Sequence, residues 1–192
     1  MTPNRFPEEV ADDYPEPPIR FTDRTDRAIE VRAYDGSERE RDALASMYEA
    51  FDPADRAQGI PPGHADEIRK WLSTILDADC YNVLAWHGDD VAGHATLVPP
   101  PDDDGEYELA IFVLQEYQEA GIGTRLIEAL LGYGQADGVE AVWLTVERWN
   151  HAAVSLYEKI GFETSDAESF EIGMSLRLNP PGRAADDADA DE

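Results

Sequence analysis

The chain has 192 residues, 42% of them hydrophobic, a length that suits one globular domain with a sizeable core and is short for two. Its 42 acidic residues outnumber 15 Lys and Arg, and the net charge of −27 argues against a nucleic-acid partner. No apolar run approaches the roughly 20 residues of a membrane helix, and the N-terminus lacks the apolar core of a signal peptide. Cys80 is the only cysteine, which excludes an internal disulfide. We therefore expect a cytoplasmic protein.

The acidic residues are spread along the chain, and only Lys70 and Lys159 are lysines. We interpret this as adaptation of the surface to a salt-rich cytoplasm, where a Debye length of about 3 Å mutes self-repulsion. The alternative is an interaction surface for a cationic partner. Residues 1–25 are rich in Pro and charge and predict an extended or loosely ordered arm, and the acidic tail 179–192 predicts disorder. Residues 26–178 form the predicted domain.

The first half of this domain predicts a strand, two helices and a hairpin. Ser37 is placed to cap the first helix, and Glu40 would complete a capping box. Gly88 lies in the turn of the hairpin. The predicted elements are a strand over 29–34, helices over 37–51 and 64–76 with a loop over 53–63 between them, and strands over 81–87 and 91–98.

The second half alternates strands and helices after an exposed loop at 99–104. Gly138 ends the first of its helices, and the pattern leaves room for one more strand near Phe162. The order β-α-α-β-β-β-α-β-α-β predicts a mixed α/β fold. The predicted elements are strands over 106–114, 141–146 and 170–178 and helices over 121–136 and 150–160.

The sharpest chemical signal is Gly121-Ile122-Gly123, which follows a buried-looking strand and opens an amphipathic helix. Glycines let a ligand approach the backbone, and a helix N-terminus favours a phosphate. The glycines alone fit a tight strand-to-helix turn equally well. The dinucleotide fingerprint fails because its third glycine position is Leu126, and a P-loop fails because no Gly-Lys-Ser/Thr follows.

A second signal lies in the helix predicted over 150–160. Asn150, Ala153 and Tyr157 fall at i, i+3 and i+7 and therefore share one helix face. A small residue at Ala153 allows close approach of a ligand, and Tyr157 would present a phenol beside it. Taken alone, Tyr157 is as readily a core residue at the end of an amphipathic helix.

Together the two segments resemble the GNAT superfamily of acyl-CoA N-acyltransferases. Gln118 with Gly121, Gly123 and Thr124 resembles its Q/R-x-x-G-x-G/A signature, and Asn150-to-Phe162 resembles its N-x-x-A-x-x-L-Y-x-x-x-G-F block. The resemblance is specific over about 106–162. It implies a three-layer fold with a central, mostly antiparallel, splayed sheet flanked by helices. It further implies transfer of an acetyl group from acetyl-CoA to a primary amine.

The resemblance also implies residue roles. The loop amides would bind the coenzyme A pyrophosphate, the preceding strand the pantetheine arm, and Tyr157 would act as general acid toward the departing thiolate. This loop departs from many family members in having no cation of its own; Arg125 is the nearest one, and Glu119 would repel phosphates unless it turns outward. The implied cofactor-binding residues are Phe112, Val113, Gln118, Glu119, Ala120, Gly121, Ile122, Gly123, Thr124, Arg125 and Asn150.

Acyl transfer also needs a base, because an alkyl amine with a pKa of about 10.4 is mostly protonated at neutral pH. Glu108 is the favoured candidate, acting directly or through water. Glu106, which shares its strand face, and Glu147, which follows the next strand, are alternatives. His94 is a further candidate, although a lone histidine is more often structural.

The acceptor is less defined. In this architecture it would contact the segment 47–63, which is aromatic and acidic and would suit a polyamine, an amino acid, an aminoglycoside-like amine, or a protein lysine or N-terminus. A non-catalytic acyl-CoA sensor on the same fold and an acidic protein-interaction domain are the competing functions. The sequence leaves a homodimer open. The histidines and Cys80 show no metal-ligand spacing, so we expect no metal.

Overall fold

The computed structural model describes residues 6–52, 54, 60–77, 79–100, 105–167 and 170–181. Most of the tail predicted to be disordered and parts of the loops predicted at 53–63 and 99–104 lie outside these described residues. Within them, no helix is long and apolar enough to cross a membrane.

The described residues include four α-helices, a 3-10 turn after the fifth strand and an eight-stranded sheet. The strands are β1 (Ile19–Thr22), β2 (Ala28–Ala33), β3 (Tyr81–His87), β4 (Asp90–Val98), β5 (Glu106–Val113), β6 (Ala141–Glu147), β7 (Glu163–Ala167) and β8 (Glu171–Arg177). The helices are α1 (Glu38–Glu49), α2 (Ala65–Ile75), α3 (Ile122–Ala136) and α4 (His151–Ile160), with the 3-10 turn at Gln115–Tyr117.

The strand order is β1-β2-β3-β4-β5-β6-β8-β7, and every neighbouring pair is antiparallel except β5 and β6. The parallel pairing of β5 with β6 is short and runs only from Glu106 to Glu108. The predicted mixed α/β fold with a splayed, mostly antiparallel sheet is therefore confirmed. The extra strand near Phe162 is also confirmed, as β7.

Strand β1 was not predicted, because its four residues follow a Pro-rich segment and offer too short an alternation. It pairs with β2 at the edge of the sheet. One of the two hydrogen bonds of the predicted capping box at α1 is present. The Ser37 hydroxyl accepts a hydrogen bond from the Glu40 N–H at 3.2 Å. The Glu40 carboxylate instead accepts from the Asp35 N–H at 2.9 Å and pairs with Arg32 at 3.0 Å, so the reciprocal bond to Ser37 is not made.

The two faces of the sheet carry separate hydrophobic clusters. The larger cluster packs α3 and α4 against the sheet, and the smaller one packs α1 and α2 against β3 and β4. Because side chains alternate along a strand, β5 serves both. Leu109, Ile111 and Val113 join the α3 side, whereas Phe112 lies on the α1 side.

The arm before β1 is extended and packs against α3, α4 and β8. The Ala11 N–H donates to the Arg177 carbonyl at 2.8 Å, and the Tyr14 hydroxyl donates to the Ile160 carbonyl at 2.7 Å. The backbone of Pro15 lies directly against Gly132, where no side chain stands in the way. The glycine in mid-helix thus lets the arm approach the α3 backbone.

Candidate active site

The candidate site is the gap where β5 and β6 diverge. Strand β5 stays paired with β4 as far as Val113, but its pairing with β6 ends at Glu108. The Leu114 N–H donates to the Ala92 carbonyl of β4. Since backbone groups alternate in direction along an antiparallel ladder, those of Ile111 and Val113 point the other way, into the gap. An extended ligand chain could therefore pair with this stretch of β5.

The loop after β5 closes one end of the gap. The Gln118 side-chain amide donates to the Val113 carbonyl at 3.0 Å, which ties the loop to the strand end. Glu119 and Gly121 both have positive φ, of 59° and 90°, and the non-glycine case marks a constrained turn. Helix α3 then starts without a side-chain cap and without an acid in its first turn. Its first N–H groups and positive dipole end are suited to an anion.

Gly123 is where the two sequence motifs meet. A Cβ at this position would lie 3.5 Å from Leu156 Cδ2 of α4 and 3.7 Å from Ile111 Cδ1 of β5. The start of α3, the middle of α4 and the free edge of β5 therefore converge around one glycine. The fold thus brings both predicted segments to the same gap.

Tyr157 lies on α4, next to Leu156, and is 8% exposed. Its ring centroid is 5.8 Å from that of Phe162, and the side chain is part of the larger hydrophobic cluster. Burial raises the pKa of Tyr157 to about 12. The phenol is consequently protonated at neutral pH and can donate a hydrogen bond or a proton. On the same helix, Asn150 Oδ1 accepts from the Ala153 N–H at 3.2 Å and caps α4.

Glu108 lies on the opposite face of the sheet from Tyr157. It is the last residue of β5 that pairs with β6, opposite Trp143, so its side chain stands at the point of divergence. Partial desolvation raises its pKa, which improves its match to proton transfer near neutral pH. Glu106 is farther from the gap on the same face, and Glu147 is at the far end of β6.

His94 is fully buried and held at both ring nitrogens. The Asn82 amide N–H donates to the Ile75 carbonyl at 2.8 Å, so the Asn82 oxygen accepts from His94 Nε2 at 2.8 Å. His94 Nδ1 then accepts from the Tyr48 hydroxyl at 2.7 Å. Burial lowers the pKa of His94 to about 3, and both ring nitrogens are engaged in the core. This histidine joins α1, α2 and the sheet, and has no nitrogen left for a substrate proton.

Sequence reasoning missed two arginines in the turn between β1 and β2. The Arg24 N–H donates to the Ala120 carbonyl at 3.1 Å, and Arg24 Nη1 donates to the Glu119 carbonyl at 3.3 Å. Arg27 Nη1 donates to the Glu116 carbonyl at 2.9 Å. Neither contact has a sequence signal, because the partners are about 90 positions apart in the chain and only the β1–β2 hairpin brings them together.

Arg125, the cation predicted to assist the loop, forms an ion pair with Glu128 at 2.9 Å. Its guanidinium carbon lies 5.8 Å from the centre of the Phe21 ring. A role of Arg125 in anion binding stays a prediction. In the described part of the chain, no group of three or more His, Cys, Asp or Glu is arranged to hold a metal ion.

The gap lies beside an uncapped helix start, a free strand edge and the helix that carries the buried Tyr157. Together these features define a class of protein, and similarity to known proteins identifies it. The acetyltransferase (GNAT) family model matches residues 44–162, and the chain belongs to this family. A mycothiol acetyltransferase of Geodermatophilus obscurus is 31% identical over 159 residues, which cover 80% of this chain. The chain spans about half of that relative's length, since the match covers 49% of it.

Solved structures share the fold. The GNAT domain of S. lividans PAT aligns over 84% of this chain and 97% of its own, with a TM-score of 0.67 and 15% identity. A ribosomal L7/L12 alpha-N-protein acetyltransferase in complex with coenzyme A aligns over 79% of this chain and 94% of its own, with a TM-score of 0.62 and 14% identity.

Proposed function

We propose that the protein is an N-acetyltransferase that transfers an acetyl group from acetyl-CoA to a primary amine by direct attack. The observation that carries the proposal is the divergence of β5 from β6, with Tyr157 on one side of the sheet and Glu108 on the other. An acid and a base on opposite sides of one gap suit a reaction in which one partner enters from each face. Family membership supports the same chemistry.

The thioester side of the gap is the one lined by α3 and α4. The first N–H groups of α3 would bind the diphosphate, and the backbone of Ile111 with the N–H of Val113 would pair with the pantetheine arm, since the Val113 carbonyl already accepts from Gln118. Both fit the residues present: the helix start is uncapped, and no side chain at Gly121 or Gly123 obstructs it. Gln118 and Thr124 remain proposed contacts on this side, and Phe112, whose side chain lies on the α1 side, remains a proposed contact at the gap.

The amine side is the opposite face. Val142, Leu144 and Val146 of β6 point into the larger core, so Thr145 and Glu147 point to the other face, and Thr145 is exposed there. That open face adjoins Glu108 and the aromatic residues of the smaller cluster. A primary amine, on a small molecule or at a protein N-terminus or lysine, could reach the gap across it.

The proposed reaction begins with a proton transfer. Glu108 accepts a proton from the substrate ammonium, directly or through water. The neutral nitrogen attacks the thioester carbon, the carbon–sulfur bond breaks, and the Tyr157 hydroxyl gives its proton to the leaving sulfur. The nitrogen then gives its second proton to the Tyr157 phenolate, which restores the phenol. Glu108 later releases its proton to solvent. The net products are an amide, a free thiol and one proton.

A turnover screen tests this function. The full chain is incubated with acetyl-CoA and a panel of diamines, amino acids, an aminoglycoside and a peptide with a free N-terminus, at low and at molar KCl, while thiol release is followed. We expect acetylation of at least one class of amine. Coenzyme A binding without turnover on any amine would instead favour a sensor module.

A further inference from the structure

The loop between β5 and α3 lacks a cation of its own, but the fold supplies one from another part of the chain. We propose that Arg24, in the turn between β1 and β2, is a binding residue for the diphosphate of the acyl-CoA. This inference rests on the proposed function and adds a contact that lies far outside both sequence motifs.

Arg24 is joined to the loop through both its backbone and its side chain. Its N–H donates to the Ala120 carbonyl at 3.1 Å, and its Nη1 donates to the Glu119 carbonyl at 3.3 Å. Its Nε is the nearest atom to the space above Gly121, 4.0 Å from where a Cβ would stand. The guanidinium is exposed and therefore lies at the surface of the loop, beside the uncapped start of α3.

The turn that presents Arg24 is rigidly built. One Asp23 carboxylate oxygen accepts from the Thr25 N–H at 2.8 Å and the Arg27 N–H at 3.0 Å, and the other accepts from Arg27 Nε at 2.7 Å. These hydrogen bonds to the carboxylate hold the pKa of Asp23 well below its ordinary value, although burial opposes them. The carboxylate therefore stays charged and fixes the turn over a wide pH range.

Arg27 fastens this turn to the segment before the loop. Its guanidinium donates to the Glu116 carbonyl at 2.9 Å and stacks 4.2 Å above the Tyr117 ring. Its Nη2 is buried and has no hydrogen-bond partner within the described residues. Two guanidinium groups thus lie beside the loop, one used to attach the turn and one left at the surface.

The negative charge of the chain bears on the position of Arg24 beside the loop. The chain carries a net charge of −27, and the loop itself contains Glu119. An anionic ligand must therefore overcome repulsion, and a guanidinium offers a planar pair of donors that matches phosphate oxygens. Glu119 adopts a positive φ of 59°, a conformation a non-glycine residue seldom takes, and Arg24 bonds its carbonyl in that conformation.

Calorimetric titration of the full chain with coenzyme A tests the inference. For Arg24→Ala we expect the Kd to rise about tenfold, the typical loss for one charge-assisted hydrogen bond. The variant keeps the backbone bond from residue 24 to the Ala120 carbonyl, so the loop is still attached. Arg24→Lys keeps the positive charge but loses the planar pair of guanidinium donors. Its Kd should therefore lie between those of wild type and Arg24→Ala. Arg20→Ala is the matched control, because Arg20 lies on β1, pairs with Glu30 at 2.8 Å and is exposed to 79%.

Analogues of coenzyme A distinguish binding of the diphosphate from binding of the 3′-phosphate. The measurements also distinguish failure of this inference from failure of the proposed function. The ratio of the Kd of Arg24→Ala to the Kd of wild type should be the same for dephospho-CoA as for coenzyme A. Acetyl-pantetheine lacks the diphosphate, so its KM should be the same in Arg24→Ala and wild type. A ratio that disappears with dephospho-CoA would assign Arg24 to the 3′-phosphate and overturn the diphosphate assignment. An unchanged coenzyme A Kd in Arg24→Ala refutes the inference alone, whereas a wild-type protein that does not bind coenzyme A refutes the proposed function with it.

Discussion

The two faces of the sheet differ in how they combine packing with chemistry. On the α3 and α4 side, the core is large and mostly apolar, and Tyr157 is one of its buried members. On the α1 and α2 side, the cluster is smaller and contains the buried chain of Tyr48, His94 and Asn82. The first face is organised around close backbone approach at glycines, the second around hydrogen bonds that fix side chains.

This difference suits two kinds of ligand. A long, largely constant ligand such as an acyl-CoA is well served by backbone groups and helix ends, which depend little on side-chain identity. In the proposed reaction an amine acceptor would be selected by side chains, and the α1 and α2 side offers aromatic rings held in fixed positions. Tyr48, Trp71 and Phe112 are packed edge to face there, with centroids 5.0 to 5.6 Å apart.

The largest effect is expected from Tyr157→Phe on the α3 and α4 side. Loss of a general acid typically costs about 100-fold or more in kcat, while coenzyme A binding should be retained because the ring is conserved. Stopped-flow or steady-state thiol release and calorimetry measure the two quantities. Tyr133→Phe, the same change at another tyrosine packed against the same core, should leave both unchanged. Full turnover by Tyr157→Phe would place the acid elsewhere.

Glu108→Gln addresses the opposite side and should lower kcat/KM by about tenfold to 100-fold. Desolvation raises the pKa of Glu108, so wild-type kcat/KM should rise with pH through a limb above the range of an ordinary glutamate. That limb should vanish in the variant. A raised carboxyl pKa means that ionisation costs stability as pH rises, so Glu108→Gln should be no less stable at pH 7. An unaltered pH profile would exclude Glu108 as base.

Tyr48→Phe tests the polar cluster of the α1 and α2 side and keeps the ring that packs against Phe112. It removes the donor to His94 Nδ1 and leaves a buried acceptor unsatisfied, at a cost of about 1–3 kcal/mol in the free energy of unfolding. Urea unfolding measures it. The matched control is Tyr34→Phe, whose hydroxyl makes only a 3.5 Å contact with the Ser37 carbonyl. Equal losses of unfolding free energy in Tyr48→Phe and Tyr34→Phe would contradict a stabilising role for the buried hydrogen bond between Tyr48 and His94.

Gly132→Ala tests close packing on the α3 side and should have the smallest net effect. The added methyl meets the Pro15 backbone, and overpacking costs roughly 1–3 kcal/mol, while the better helix propensity of Ala offsets up to about 1 kcal/mol. We expect a net loss of about 1–2 kcal/mol by urea unfolding. Gly123→Ala, whose methyl would meet only ordinary contacts, should be no less stable than wild type. A stabilised Gly132→Ala would mean that the arm does not pack tightly in solution.

Periodicity was enough to predict most elements, because long amphipathic helices and alternating strands signal themselves locally. Strand β1 escaped because four residues at a sheet edge depend on β2 for their definition. Residue types also indicated the site: the glycines at 121 and 123 and the helix with Tyr157 both border the gap. The role of His94 could not be derived from sequence, because burial and two hydrogen bonds from distant elements decide it.

By itself the sequence determined the class of fold, the two motifs and the likeness to acyl-CoA N-acyltransferases, since these depend on local spacing. Only the tertiary structure decided where β5 leaves β6, which glutamate stands at that point, and that Arg24 lies beside the loop. The physical reason is that strand pairing brings together residues that are far apart in the chain, and charge and desolvation at a site depend on those neighbours.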